Sequence, residues 1–278
     1  MPAPLVGRRV LRVATALTLA LAAGVAAPAA RATTAGAAPP QATAAVSDNG
    51  RELSYTAAAG QTNKVSVTES FASGSKDRLT YVIDDVVPVG AGPGCGYPDG
   101  ADRTKVSCTV TTVESQDPYA ALDLDVGDGE DTVTVDNTTG QTYYFNRIRL
   151  GAGKDRLTDT GPVDGAAVLG GAGDDTISVG EAATVLAGDG DDTVYAVGEA
   201  TAVEGGAGDD VIHGGPGDQP LSGDDGNDTV YGGKGDDLLY GGAGDDVMYG
   251  NSGDDQLYGG PGKDTLSGGP GTDVVQQD

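Results

Sequence analysis

From Gly205 to Gln276 the apolar positions recur with a period of nine. The eighth residue of each nonad is Ile212, Leu221, Val230, Leu239, Met248, Leu257, Leu266 or Val275, while its neighbours at positions seven and nine vary between polar and apolar types. Nine residues are too few for a helical repeat and too regular for a loop. The period predicts a coil that turns, lays down one short strand and turns again, with one inward side chain per strand and a core reduced to a thin apolar ladder. Positions one and four are Gly in all eight units, as needed where φ must be positive and no Cβ can be tolerated. At position two the departures from Gly are Asp224 and Asn251, the residue types that best accept a left-handed backbone.

Position six carries the chemistry. It is Asp210, Asp228, Asp237, Asp246, Asp255, Asp264 and Asp273, with one exception at Gln219, whereas position five also accepts Asn227, Lys263 and Thr272. Acidity is therefore specified at six and optional at five, where the side chain is expected to be solvated. If two nonads complete a coil, turns two units apart stack at about 4.8 Å. Asp210, Asp228, Asp246 and Asp264 then form one column; Gln219, Asp237, Asp255 and Asp273 form the other. Carboxylates so close repel by roughly 1 kcal/mol per pair in water and by more where the dielectric falls. The eight units contain only Lys234 and Lys263 as side-chain cations. A hard divalent ion meets the need. Glycine turns offer carbonyl oxygens, each Asp adds a carboxylate, and a flexible all-oxygen shell suits calcium better than magnesium, zinc or copper.

These units resemble the Gly-Gly-x-Gly-x-Asp-x-U-x nonapeptide of the repeats-in-toxin (RTX, hemolysin-type) family. The resemblance covers about a quarter of the chain at full strength. It implies an all-β fold, a right-handed parallel β-roll or β-solenoid, with calcium between successive turns held by backbone carbonyls and the position-six Asp of both turns. Carried to this sequence, Asp210, Asp228, Asp246 and Asp264 serve one column and Asp237, Asp255 and Asp273 the other, with Gly205, Gly223, Gly232, Gly241, Gly259 and Gly268 in the turns. Gln219 is uncharged and Pro220 enters the strand without an amide donor, so that site is expected to be weak or empty.

Upstream, residues 122–204 keep the motif once per coil, as GDGEDTV at 127, GAGKDRL at 151, GAGDDTI at 171 and GDGDDTV at 188. The alternate turns read Val179-Gly180-Glu181-Ala182 and Val197-Gly198-Glu199-Ala200. A single column is expected here, carried by Asp131, Asp155, Asp175 and Asp192 and running into Asp210; the early intervals of 24 and 20 residues weaken its first two sites. Tyr143-Tyr144-Phe145 is expected on a strand of an enlarged coil. Residues 48–121 carry β-branched runs, Lys64 to Thr68, Leu79 to Ile83 and Lys105 to Val113, and read as degenerate first coils or a small β cap. Cys95 and Cys108 are the only cysteines. In an exported chain they predict a disulfide that staples the loop GAGPGCGYPDG.

Residues 1–32 read as a secretory signal peptide: Arg8, Arg9 and Arg12, then an apolar run, then Ala30-Arg31-Ala32. Residues 33–47, rich in Ala, Pro and Thr, read as a disordered linker. Without the four arginines of the leader, 16 − 4 = 12 basic residues stand against 42 acidic ones, a mature net charge of 12 − 42 = −30. That charge excludes nucleic acid and anionic membrane as direct partners, and no membrane insertion is expected.

The expected function is a stand-alone secreted calcium-binding module, folded by extracellular calcium and not an enzyme. Two alternatives stay open. Outward tyrosines at position nine, Tyr231, Tyr240, Tyr249 and Tyr258, pair as two ladders that either stabilise the sheets or form a carbohydrate- or cell-wall-contacting adhesin surface. A polysaccharide-acting enzyme on a β-helix scaffold is the other; the lone His213 is read as a solvated surface residue. The last strand has no evident cap, which leaves end-to-end pairing and oligomeric state open.

Overall fold

The computed structural model describes residues 41–112, 119–140, 144–161 and 165–277. The signal-peptide reading and Tyr143 lie outside them. The described residues contain strands and turns and no helix, arranged as two sheets of twelve strands each.

In chain order the strands are β1 (Ala42–Val46), β2 (Leu53–Thr56), β3 (Lys64–Phe71), β4 (Arg78–Asp84), β5 (Val89–Ala91), β6 (Cys95–Gly96), β7 (Lys105–Thr111), β8 (Tyr119–Asp125), β9 (Thr132–Asn137), β10 (Tyr144–Ala152), β11 (Arg156–Asp159) and β12 (Ala167–Ala172). They continue as β13 (Thr176–Val179), β14 (Thr184–Asp189), β15 (Thr193–Ala196), β16 (Ala202–Ala207), β17 (Val211–His213), β18 (Pro220–Asp225), β19 (Thr229–Lys234), β20 (Leu238–Ala243), β21 (Val247–Ser252), β22 (Gln256–Tyr258), β23 (Thr265–Ser267) and β24 (Val274–Gln276). From β8 onward even-numbered strands stack in one sheet and odd-numbered strands in the other, each parallel to the strand two ahead. This is a β-roll: every coil contributes one strand to each sheet.

Register follows the sequence period. Val203, Leu221, Leu239, Leu257 and Val275 align across one sheet; Ile212, Val230, Met248 and Leu266 align across the other. A fixed residue count per coil allows no slip, because a one-residue shift would turn the single apolar side chain outward. The ladder is buried from Ile212 to Leu257 and opens at the end, where Val275 is 50% exposed.

The N-terminal region combines both expected arrangements. β2 and β3 pair parallel with β8 and β9, with Leu53 beside Leu122 and Val65 beside Val133, and so form a coil of the solenoid. Around that coil the chain turns antiparallel: β1 on β2, β4 on β3, and β7 on β4 and β6. Cys95 and Cys108 are bonded and join β6 to β7. Residues 42–46, placed by composition in the linker, form β1 instead, because Ala42, Ala44 and Val46 alternate inward onto the core. This core is wider than the ladder, with Leu53, Tyr55, Leu79, Tyr81 and Ile83 fully buried.

Candidate metal centre

The position-six aspartates line the inside of the turns. Asp131, Asp155, Asp175, Asp192, Asp210, Asp228, Asp237, Asp246 and Asp255 are buried, and Asp264 and Asp273 are half-buried at the open end. One carboxylate oxygen is used in a backbone ladder. The N–H of Asp210 donates to Asp228 Oδ1 (2.8 Å), that of Asp228 to Asp246 Oδ1 (2.9 Å) and that of Asp246 to Asp264 Oδ1 (3.1 Å). The same bond runs back through Asp192, Asp175, Asp155 and Asp131, so the intervals of 24 and 20 residues do not break the column. In the second column Gln219, Asp237 and Asp255 donate to Asp237, Asp255 and Asp273 in turn.

The other oxygen has no protein partner. Oδ2 of all nine buried position-six aspartates, from Asp131 to Asp255, accepts no hydrogen bond. A carboxylate oxygen buried without a partner is costly, and here the cost repeats once per turn. Burial raises the carboxyl of Asp175, Asp210 and Asp237 to about 7 and of Asp155, Asp192 and Asp228 to about 6; bonds from the backbone N–H beneath oppose the shift and neighbouring carboxylates add to it. Asp131, Asp246 and Asp255 are raised for the same leading reason.

The position-one glycine explains the space beside Oδ2. A Cβ on Gly205 would lie 2.4 Å from Asp210 Oδ2 and 2.6 Å from the Gly223 carbonyl oxygen; on Gly232, 2.5 Å from Asp237 Oδ2 and 2.7 Å from Gly250 O; on Gly241, 2.3 Å from Asp246 Oδ2 and 2.6 Å from Gly259 O. A carboxylate oxygen and the next coil's carbonyl thus face one cradle that an alanine would fill. Gly223, Gly259 and Gly268 likewise face Asp228, Asp264 and Asp273. The positive φ expected at position one is not found there. It belongs to positions two and four, as at Gly206 and Gly208, and Asp224 and Asn251 adopt it as expected. Position one is glycine for close approach alone.

Upstream, position one mostly carries a buried apolar side chain in place of glycine. Position one is Val126, Leu150 and Ala187 in the coils of Asp131, Asp155 and Asp192, all buried, and is glycine again at Gly170 beside Asp175. Sequence reasoning that tracked only position six missed this difference, although position one was there to read.

A second ladder escaped it too. Position-five side chains are exposed, as expected, yet they are bonded: the N–H of Asn227 donates to Asp209 Oδ1 (2.8 Å), Asp245 N–H to Asn227 Oδ1 (3.0 Å) and Lys263 N–H to Asp245 Oδ1 (2.9 Å). This outer ladder runs opposite to the inner one. Lys263 and Thr272, which offer no carboxylate, donate their N–H groups to Asp245 and Asp254 and close this ladder among the described residues.

All-oxygen seats of paired carboxylates and carbonyls fit a hard divalent cation. Among the described residues no three His, Cys, Asp or Glu side chains converge, so backbone oxygens would supply most of any shell. The aromatic ladders form as expected, Tyr231 on Tyr249 and Tyr240 on Tyr258, each with centroids 5.3 Å apart. The first is longer than expected: His213 is stacked between Tyr195 and Tyr231 at 4.9 Å from each, so it is a half-buried rung and not a solvated side chain.

Residues 202–218, 222–257 and 243–275 match the RTX calcium-binding nonapeptide repeat, in four copies. This segment thus matches a calcium-binding repeat and is folded as a β-roll. No curated protein and no solved structure matches the chain.

Proposed function

We propose that the chain is a secreted protein whose roll is completed by extracellular calcium, acting as a structural and binding module. The observation that carries this reading is the row of buried, partnerless Asp Oδ2 atoms, of which those of Asp175, Asp210, Asp228, Asp237, Asp246 and Asp255 face a cradle kept open by a position-one glycine. Calcium would supply the positive charge that the carboxylates and turn carbonyls share. Asp210, Asp228, Asp246 and Asp264, and Asp237, Asp255 and Asp273, with Gly205, Gly223, Gly232, Gly241, Gly259 and Gly268 beside them, are the residues proposed to hold it. Asp131, Asp155 and Asp192 are proposed as weaker seats because position one of their coils is the buried Val126, Leu150 or Ala187 and not glycine; Asp175, beside Gly170, is proposed as the stronger one of that region.

An extracellular setting supports the reading on three counts: the leader-like sequence before residue 33, the Cys95–Cys108 disulfide, and seats of a kind suited to millimolar calcium. The carbohydrate-contact alternative has less support. The ring faces of the tyrosine stripe are spent on each other, with planes within 18°, which serves the sheets more than a sugar.

The test is far-ultraviolet circular dichroism of the chain from residue 33 onward during a calcium titration, with magnesium as the control. A cooperative gain of β signal with calcium alone is the expected result. An unchanged spectrum across both titrations would sink the proposal.

A further inference from the structure

Position six is a carboxylate throughout both columns except at their bases, where it is a carboxamide. Gln219 begins the second column: its N–H donates to Asp237 Oδ1 (3.0 Å), the bond that Asp237 and Asp255 make in turn to the coil above. Its side chain behaves unlike any aspartate. Oε1 accepts the N–H of Gly215 (2.8 Å), while Nε2 donates down to the carbonyls of Gly198 (2.7 Å) and Ala196 (3.2 Å). The turn beneath is Val197-Gly198-Glu199-Ala200, which has no position-six acid and presents carbonyl oxygens instead of an N–H. A glutamate there would set a carboxylate oxygen against two carbonyl oxygens.

Asn63 holds the equivalent place at the base of the first column. Its N–H donates to Asp131 Oδ1 (2.5 Å). Its Nδ2 faces three oxygens, Gln61 O (3.1 Å), Val126 O (3.3 Å) and Asp131 Oδ1 (3.2 Å). Val126 O is the position-one carbonyl of the coil above, the counterpart of the Gly223 oxygen that faces the Gly205 cradle. Turning the amide over would place four oxygens together, so the acceptors themselves set its orientation. Both side chains are buried.

We propose that the Gln219 and Asn63 amide nitrogens stand in for a cation at the base of each acidic column, so that the lowest turn of each is closed without metal. An amide nitrogen offers two N–H donors to converging oxygens, the same polarity as a bound cation, at no net charge. The columns then start from turns that hold before any ion arrives. Gln219 is not a decayed calcium site; it joins the metal-free turns below to the carboxylate turns above. This inference rests on the calcium reading of the columns.

The test exchanges nitrogen for oxygen without changing shape: Gln219→Glu and Asn63→Asp in the chain from residue 33 onward. Calcium stoichiometry is read by equilibrium dialysis at pH 7.5, and β content by circular dichroism in chelator and in saturating calcium. Each variant is expected to take up about one ion more than the wild type and to lose β signal at calcium levels that still hold the wild type. Gln219→Ala, which removes the donor and adds no charge, is expected to lower the melting temperature with no added ion. Unchanged stoichiometry and an unchanged calcium midpoint in both isosteric variants would overturn the inference. So would a Gln219→Glu chain whose β signal no calcium concentration restores. A wild-type chain that binds no calcium overturns the calcium reading together with this one, whereas normal wild-type uptake with unaltered variants overturns this one alone.

Discussion

The two ends of the roll solve the same burial problem with different materials. Around β1 to β7 the core is dense: Leu53, Tyr55, Leu79, Tyr81 and Ile83 are fully buried, strands pair antiparallel, and a disulfide ties β6 to β7. Between Gly205 and Gln276 a full coil buries two apolar side chains, such as Leu221 with Val230 or Leu239 with Met248, around a column of carboxylates. The coils between are intermediate, since Val126, Leu150 and Ala187 add apolar volume at position one beside each acid. A core of two aliphatic side chains per coil gains only a few kcal/mol from burial, roughly 1.5–3 for each, against an ordering cost of about 1–2 kcal/mol for every backbone residue. The glycine-rich end therefore relies on something besides apolar contact, whereas the N-terminal end has a wider apolar core and a disulfide to draw on.

Removing calcium at neutral pH is the broadest way to break this contrast. Hydrogen exchange in chelator should leave β24 back to β17 unprotected while the amides of β3, β4 and β7 stay slow. Equal protection at both ends would mean that the thin ladder suffices.

Substitution within a column comes next. Asp228→Ala takes the acceptor from the Asp210 N–H and leaves a buried donor bare, at a cost of about 1–3 kcal/mol, together with lost calcium cooperativity. The exposed Asp236→Ala loses only an outer rung, the acceptor for Asp254 N–H, and should cost less than about 1 kcal/mol. Chemical denaturation in saturating calcium compares the two; similar losses would remove the distinction between inner and outer ladders. Reducing the disulfide, or Cys95→Ser with Cys108→Ser, should cost roughly 3 kcal/mol in the N-terminal region and leave the calcium midpoint unmoved.

The position-one contrast can be reversed in both directions. Gly241→Ala puts a methyl 2.3 Å from Asp246 Oδ2 and should weaken calcium uptake there, whereas Ala187→Gly should open a seat beside Asp192 and strengthen it. Calcium titrations that shift the same way in both variants would refute the cradle.

The subtlest effect is that of pH without calcium. Asp175, Asp210 and Asp237 have folded-state values near 7, and Asp155, Asp192 and Asp228 near 6, above an unfolded value of about 3.9. The folded state binds protons more tightly, so the stability of the calcium-free roll is fullest below about pH 4 and falls as pH rises through 6 to 7. Calcium competes with those protons, so its affinity should rise over the same window. Circular dichroism of the chelated chain at pH 5 and pH 8 checks the first point; more β signal at pH 8 would reverse the sign.

What the sequence by itself determined is everything that repeats. In a coil of fixed length a residue's neighbour in space is the residue 18 positions on, so the aligned Leu221, Leu239 and Leu257, the two acid columns and the Tyr231–Tyr249 and Tyr240–Tyr258 pairs could all be read from spacing. The tertiary structure alone decided what does not repeat. That β1 joins the core and β4 and β7 turn antiparallel depends on partners distant in sequence, with Leu79 beside Val110 and no period to announce it. That position one is glycine for lack of room, and that Gln219 reaches down while the aspartates bond the turn beneath through Oδ1, depends on which atoms face each other across the gap between coils. Spacing places residues in columns; only packing shows whether the next oxygen or N–H is within a bond's reach, and that decides between a carboxylate, an amide and an ion.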